Sequence, residues 1–294
     1  MPVMRWKMRS LCWLFAILAS VFATAPRALA WGDAGHRIIC QLAYLELTPA
    51  PKAKVDALMA LDPKFHTFAS GCTWPDVFPP VRPPEHFLNV TRTAKAVDPA
   101  AICPSADRCV ASAILNDTAE LAKRPGSSDQ LRLLKSIGHW VGDIHQPLHV
   151  SFEDDKGGNL IKVSGQCSYS LHLVWDVCII HSEIGEDEAA IAATLRNEIT
   201  ESDRKAWAPE SLDVTAVAAW ATESLVIAES PSVQYCTWRE EACWYSETEE
   251  KFDGHQRTVE ITPQYLREQA PIVRERFKRA GIRLAAVLNM IFAQ

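Results

Sequence analysis

The chain has 294 residues, of which 48% are hydrophobic and 22% charged, with 12 glycines and 18 prolines. That profile sits near the globular average and excludes collagen-like, coiled-coil and disordered chains. The formal net charge of −6 argues against a protein that grips nucleic acid through a broad basic face.

In chain order, residues 1–30 read as a secretory signal. Arg5, Lys7 and Arg9 form a basic start, 11–23 is apolar apart from Ser20, and Ala28-Leu29-Ala30 is a small-residue cleavage site. The apolar run is shorter than the about 20 residues that a membrane span requires, so an uncleaved anchor is the lesser alternative. Cleavage leaves 31–294 as one exported domain, periplasmic or secreted, with no membrane span and expected as a monomer. It also removes Arg5, Lys7, Arg9 and Arg27, leaving 26 bases against 36 acids, a net charge of −10.

Apolar spacing predicts helices over 36–47, 110–121 and 131–144, the last stopping before Pro147. Asp154-Asp155-Lys156-Gly157-Gly158-Asn159 reads as a turn, followed by a short strand over 160–163 and a second turn at Gly165. Further helices are expected over 189–199, 215–228 and 263–292, the last with a break at Gly281. The proline-rich stretch Pro79, Pro80, Pro83, Pro84 reads as a surface loop. The fold class is mainly α, with at most a small β-hairpin.

Cys12 lies in the signal, which leaves eight cysteines and no CxxC pair. An even count in an exported chain favours disulfides over zinc thiolates. Proximity along the chain suggests Cys103 with Cys109, Cys167 with Cys178 and Cys236 with Cys243, leaving Cys40 with Cys72. Partly reduced core thiols are the alternative.

The residues that carry chemistry are histidines with aspartates beside them. His139 and Asp143 are four apart on a predicted helix, so both leave one face a turn apart and can converge on one ion. His172 and Asp176 repeat the spacing, and Pro147 between the pairs ends the helix so that His149 turns away. Imidazole with carboxylate suits zinc with open positions. One such pair alone is as often a surface pair; two of them in an exported chain are not. At the expected mature terminus, Trp31 would present a free α-amine, which with its own carbonyl can chelate a metal close to His36.

These motifs resemble the S1/P1 nuclease family. The resemblance runs through Trp31-Gly32 with Gly35-His36, then Cys72-Thr73-Trp74-Pro75-Asp76 and His86-Phe87-Leu88-Asn89. It continues through the string from Gly138-His139 to Leu148-His149, then Gly157-Gly158-Asn159 and Leu171-His172-Leu173-Val174-Trp175-Asp176, and closes with a similar last helix around Ala280-Gly281-Ile282. It implies a mainly helical fold with three zinc ions at the base of a cleft. By similarity Asp76, His86, His139 and Asp143 hold the first; His149, His172 and Asp176 the second; the Trp31 amine and carbonyl, His36 and Asp143 the third. His145 matches a position that is not a ligand and is expected to pack behind the site. His66, His181 and His255 match no motif and read as surface histidines.

Three zinc ions against three aspartates leave the cleft floor at about +3, an anion site within a net-acidic protein. A water bridging two ions becomes hydroxide near neutral pH and attacks phosphorus in line. The resemblance implies an endonuclease that cuts single-stranded RNA and DNA to 5′-nucleotides and removes 3′-phosphate from mononucleotides. Flexible strands reach a deep cleft more easily than a duplex, and their bases can stack on aromatics. Asp76, Asp143 and Lys156 form the expected catalytic set.

The chain departs from the family pattern at two points. Pro79 stands where many members carry an arginine near the phosphate, and Pro75 replaces a small residue. Phosphate contacts then fall to Arg92, Lys95 or Lys156, for each of which a solvated surface base is the plainer reading. Asn89-Val90-Thr91 and Asn116-Asp117-Thr118 fit the glycosylation pattern, which arises easily by chance. A zinc-dependent phospholipase C is the alternative function. A non-catalytic exported zinc-binding protein is a second.

Overall fold

The computed structural model describes residues 31–124 and 126–293; the signal sequence read over 1–30 lies outside the described residues. Ten α-helices carry the fold: α1 (Asp33–Glu46), α2 (Pro49–Met59), α3 (Phe68–Gly71), α4 (Val110–Ala122), α5 (Ser127–Ile144), α6 (Leu171–Leu173), α7 (Glu188–Glu198), α8 (Glu201–Trp207), α9 (Val214–Ala228) and α10 (Pro263–Phe292). α6 continues as π-helical turns over Val174–Cys178 and Ile180–Ile184. Six short strands, β1 (Leu88–Val90), β2 (Val150–Phe152), β3 (Lys162–Gly165), β4 (Thr237–Arg239), β5 (Ala242–Trp244) and β6 (Thr258–Ile261), pair two by two.

α5 is the central strut. Leu133, Leu134, Ile137, Trp140, Val141 and Ile144 recur at three- and four-residue steps and are all buried, so burial of that face drives the helix into the core. α5 packs against α4, α10, α1 and α2. It ends where the chain must turn for Pro147, which opens a 3₁₀ turn over Pro147–His149. α10 begins with Thr262 accepting from the Tyr265 N–H and runs 30 residues. The break expected at Gly281 does not occur. A Cβ there would lie 2.1 Å from Leu42 Cδ2, so the glycine serves the tight crossing of α10 over α1 and the helix passes through.

β1 pairs in parallel with β2, Leu88 opposite Val150. This ladder brings the chain just after His86 beside the chain just after His149. The strand expected over 160–163 forms two residues later as β3, because the turn is still closing there: Leu160 N–H donates to the Asp155 carbonyl at 3.1 Å and Ile161 N–H to Gly158 at 3.2 Å. β3 pairs in parallel with β6, and the antiparallel hairpin is instead β4–β5. The four cysteine pairs suggested by the sequence are all joined: Cys40–Cys72, Cys103–Cys109, Cys167–Cys178 and Cys236–Cys243. No helix of the described residues is long and apolar enough to cross a membrane.

Candidate metal centre

His139 and Asp143 leave one face of α5, and both are fully buried. His36 comes from α1 and stacks on His139 with ring centroids 3.9 Å apart. Gly142 makes this possible, since a Cβ there would meet His36 Nδ1 at 2.7 Å. Asp76 closes a 3₁₀ turn over Trp74–Asp76, and His86 closes another over Pro83–His86. His149 ends the turn after α5, His172 lies in α6, and Asp176 in the π-helical turn that follows. The spacing of four from His172 to Asp176 therefore works across a π turn, a feature that often marks functional positions.

The histidines are aimed by backbone carbonyls. His139 Nδ1 donates to Cys72 O at 2.7 Å, His149 Nδ1 to His86 O at 2.6 Å and His172 Nδ1 to Gly157 O at 2.7 Å. His86 is held the other way round, its Nε2 donating to Val81 O at 2.9 Å. Each ring has thus spent its N–H, and its second nitrogen presents a lone pair to the cluster.

Those lone pairs meet carboxylates in a compact figure. His139 Nε2 lies 3.1 Å from His86 Nδ1, 3.5 Å from Asp76 Oδ1 and 3.2 Å from Asp143 Oδ2. His86 Nδ1 lies 3.3 Å from Asp76 Oδ1 and 3.4 Å from Asp143 Oδ2. A tetrahedron of N and O ligands with arms of about 2.0–2.1 Å has edges of about 3.3 Å, and five of its six edges are reproduced here. A second figure joins His172 Nε2 to His149 Nε2 at 3.2 Å and to Asp176 Oδ2 at 3.3 Å. Between the two, Asp143 Oδ1 reaches His36 Nε2 at 3.3 Å and His149 Nδ1 at 3.9 Å. Both Asp143 oxygens, Asp76 Oδ2, Asp176 Oδ2 and both His36 nitrogens are buried without a hydrogen-bond partner. Buried acceptors left facing one another are costly; divalent cations satisfy the carboxylate oxygens and His36 Nε2, so the donor set fits zinc.

The electrostatics agree. Burial opposes charge on His139, but Asp143 and Asp76 outweigh it and lift its pKa to about 10, so its Nε2 gives up a proton when a metal takes the lone pair. Asp143 is buried too, yet His139, His36 and His86 hold it well below the carboxylate range. Burial and the neighbouring His149 push His172 down to about 3, which keeps it a neutral imidazole. Burial drives Asp176 well above its ordinary value, against the Gln146 amide that donates to it at 2.6 Å. The Asp76, His86 and His139 corner calls for positive charge, and the His149, His172 and Asp176 corner is neutral and poised to receive it.

Trp31 is fully buried, edge-on to Phe277 at 4.8 Å. Gly32 N–H donates to Asp176 O at 2.9 Å, so the start of α1 is pinned beside the second cluster. His145 is buried, donates to Val141 O and accepts from Arg283 at 2.8 Å, packing behind α5 as expected. His66, His181 and His255 are exposed.

The clusters open into a cleft of about 610 Å³ lined by Asp76, His86, His149 and His172 together with Phe78, Pro80, Pro83 and Phe87. Phe78 is 68% exposed and Phe87 41%. The sequence did not single out Phe78; its place three residues before Val81, whose carbonyl holds His86, is visible only in the fold. Of the three cations considered for phosphate contact, Lys156 alone lines the cleft. Arg92 does not: its guanidinium is locked 2.8 Å from both Asp154 and Asp155. Nor does Lys95, which bonds the Glu241 carbonyl and lies over the Trp238 ring.

A family model described as S1/P1 Nuclease matches residues 31–293. Endonuclease 3 of Arabidopsis thaliana is 29% identical over 308 residues, covering 99% of this chain and 97% of its own length. Endonuclease 2 of the same plant is 31% identical over 287 residues, covering 91% and 92%. Nuclease S1 of Aspergillus oryzae is 28% identical over 293 residues, covering 96% and 98%. The match spans every motif that aims a donor into the two clusters, and on it the chain belongs to the S1/P1 nuclease family, hydrolases of phosphodiester bonds.

Proposed function

We propose that the protein is an exported zinc-dependent endonuclease that hydrolyses single-stranded RNA and DNA to 5′-nucleotides and removes 3′-phosphate from mononucleotides. The observation that carries this reading is the set of five donor-to-donor distances of 3.1–3.5 Å among Asp76, His86, His139 and Asp143. Those four hold one zinc; His149, His172 and Asp176 hold a second; His36, Asp143 and the terminus of Trp31 hold a third. Zinc supplies Lewis-acid activation of water and of the phosphoryl oxygens.

The chain's own residues do the rest. Asp143 ties the clusters together, one oxygen toward His36 and the other toward His139 and His86. Lys156, at the cleft wall, meets the phosphate as a point charge. Phe78 and Phe87 offer faces on which unpaired bases stack, a sequence-tolerant contact that a duplex denies. With Pro79 in place of arginine, the cleft lining holds one cation, Lys156, beside the acids Asp76 and Glu153, so substrate grip rests on metal and stacking. Four disulfides and the match that begins at Trp31, directly after Ala30, support export.

Product analysis tests the reading. Single-stranded oligonucleotides should yield mononucleotides that carry a 5′-phosphate, and 3′-AMP should release inorganic phosphate. Products with 3′-phosphate ends contradict it. Zinc counted per chain tests the terminal ligand separately: one residue added before Trp31 should lower the count by one, and an unchanged count removes Trp31 from the ligand set.

A further inference from the structure

Asp155 lies beneath the turn after β2, fully buried and outside the metal clusters. Its Oδ1 accepts from Gly158 N–H at 2.8 Å and from the Tyr235 hydroxyl at 2.7 Å, and its Oδ2 accepts from Arg92 at 2.8 Å. The guanidinium rests on Phe152, 4.5 Å from the ring centroid, and Phe152 stacks on Tyr235. A buried carboxylate is expensive to desolvate even when paired. An asparagine could accept the same Gly158 N–H, so the turn alone does not call for a charge.

The Gly158 N–H and the Gly157 carbonyl belong to one peptide group. Its N–H donates to Asp155, and its carbonyl accepts from His172 Nδ1 at 2.7 Å. Left-handed φ angles of +62° and +80° at Gly157 and Gly158 set this orientation, and a Cβ on Gly157 would lie 2.7 Å from Leu148 O. Hydrogen bonds in series polarise one another. A peptide pulled by a carboxylate at its N–H presents a more negative carbonyl, which draws on His172 Nδ1–H and makes Nε2 the stronger donor. The carbonyls that aim the other histidines lack this backing: the N–H after Cys72 donates to Ser70 O, an uncharged acceptor.

We propose that Asp155 is a positioning residue for the His149, His172 and Asp176 cluster, fixing and polarising His172 through the 157–158 peptide. The proposal rests on the reading that this cluster holds zinc. Burial raises the Asp155 pKa above the ordinary carboxylate value, and Arg92, Tyr235 and the Gly158 N–H oppose that rise and hold the carboxylate still.

Zinc retained per chain against graded chelator tests it, with the cobalt-substituted protein's visible absorption as a second readout. Asp155→Asn keeps an acceptor for Gly158 and removes the charge; one zinc should be released about tenfold more readily, with a shifted cobalt band, and outer partners of metal ligands carry about 10–100-fold in affinity. Asp154→Asn is the control. It also removes a carboxylate from Arg92 but does not touch the 157–158 peptide, and it should retain zinc like the wild type. Equal behaviour of the two variants, or wild-type retention in Asp155→Asn, overturns the proposal. The wild-type chain offers a test free of folding effects: the His172 Nδ1 proton should resonate downfield of those of His139 and His149, and coincidence with them also overturns it. A wild-type protein that retains no zinc contradicts the functional reading instead, and the His172 proton set against that of His149, whose pKa burial likewise lowers, still decides this one.

Discussion

His139 Nε2 and His86 Nδ1 face each other at 3.1 Å, while the other nitrogen of each donates to a backbone carbonyl, Cys72 O and Val81 O. Two imidazole lone pairs at that distance, with two carboxylates around them, are held together by the fold and relieved by a cation. Metal should therefore stabilise the protein. At zinc about 100-fold above its dissociation constant the gain is about 2.7 kcal/mol, or about 5–10 °C in Tm for a chain of this size. Calorimetry of chelated and zinc-restored samples measures it; identical melting would show that the clusters hold no metal.

Asp143 and Asp176 differ in reach. Asp143 lies within 3.4 Å of three histidines, His36, His86 and His139, whereas Asp176 has one that near, His172 at 3.3 Å, with His149 at 4.0 Å. Asp143→Asn should accordingly lower kcat/KM at least tenfold more than Asp176→Asn and release more zinc. Equal losses in steady-state assays would count against the bridging position.

The Cys40–Cys72 bridge spans 32 residues, and the Cys72 carbonyl aims His139. Replacing both cysteines by alanine should destabilise the fold by about 2–4 kcal/mol and loosen zinc. Replacing Cys236 and Cys243, seven residues apart and supplying no backbone contact to a cluster histidine, should loosen zinc less. Chemical denaturation with metal analysis separates the two; a metal effect from the second pair alone would refute the link.

Glu229 sets a pH dependence away from the metal site. Burial raises its pKa from 4.5 to about 6, against the pull of Lys95, and its Oε1 has no hydrogen-bond partner. A carboxyl raised in the folded state favours folding when protonated, so its contribution is most favourable below pH 4.5 and is lost as pH rises through about 6. Glu229→Gln should melt higher than the wild type at pH 8 and alike at pH 4. A difference that grows toward acid would reverse the assignment.

Much of the site was legible because its donors are local in sequence. His139 with Asp143 and His172 with Asp176 announce themselves by spacing, and Pro147 explains why His149 turns away. What stayed hidden depends on partners and local geometry that apolar spacing does not report. Arg92 read as a solvated surface base or one of three candidates for phosphate contact because its locks, Asp154 and Asp155, lie 62 and 63 residues away. His86 gave no hint that Nδ1 rather than Nε2 would face the cluster, since Val81 O decides it. Gly281 read as a breaker because its partner, Leu42, sits on another helix. α2 was missed because Pro49 and Pro51 suggest a loop, although proline suits a first helical turn. α8 has no buried face and is held by the Thr200–Asp203 capping box, so apolar periodicity could not find it.

The most direct measurement is release of acid-soluble nucleotides from single-stranded RNA and DNA by the purified mature protein, run as isolated, chelated and zinc-restored. Release that vanishes with chelator and returns with zinc is the predicted result. No release from a preparation shown to hold zinc would contradict a zinc-dependent nuclease.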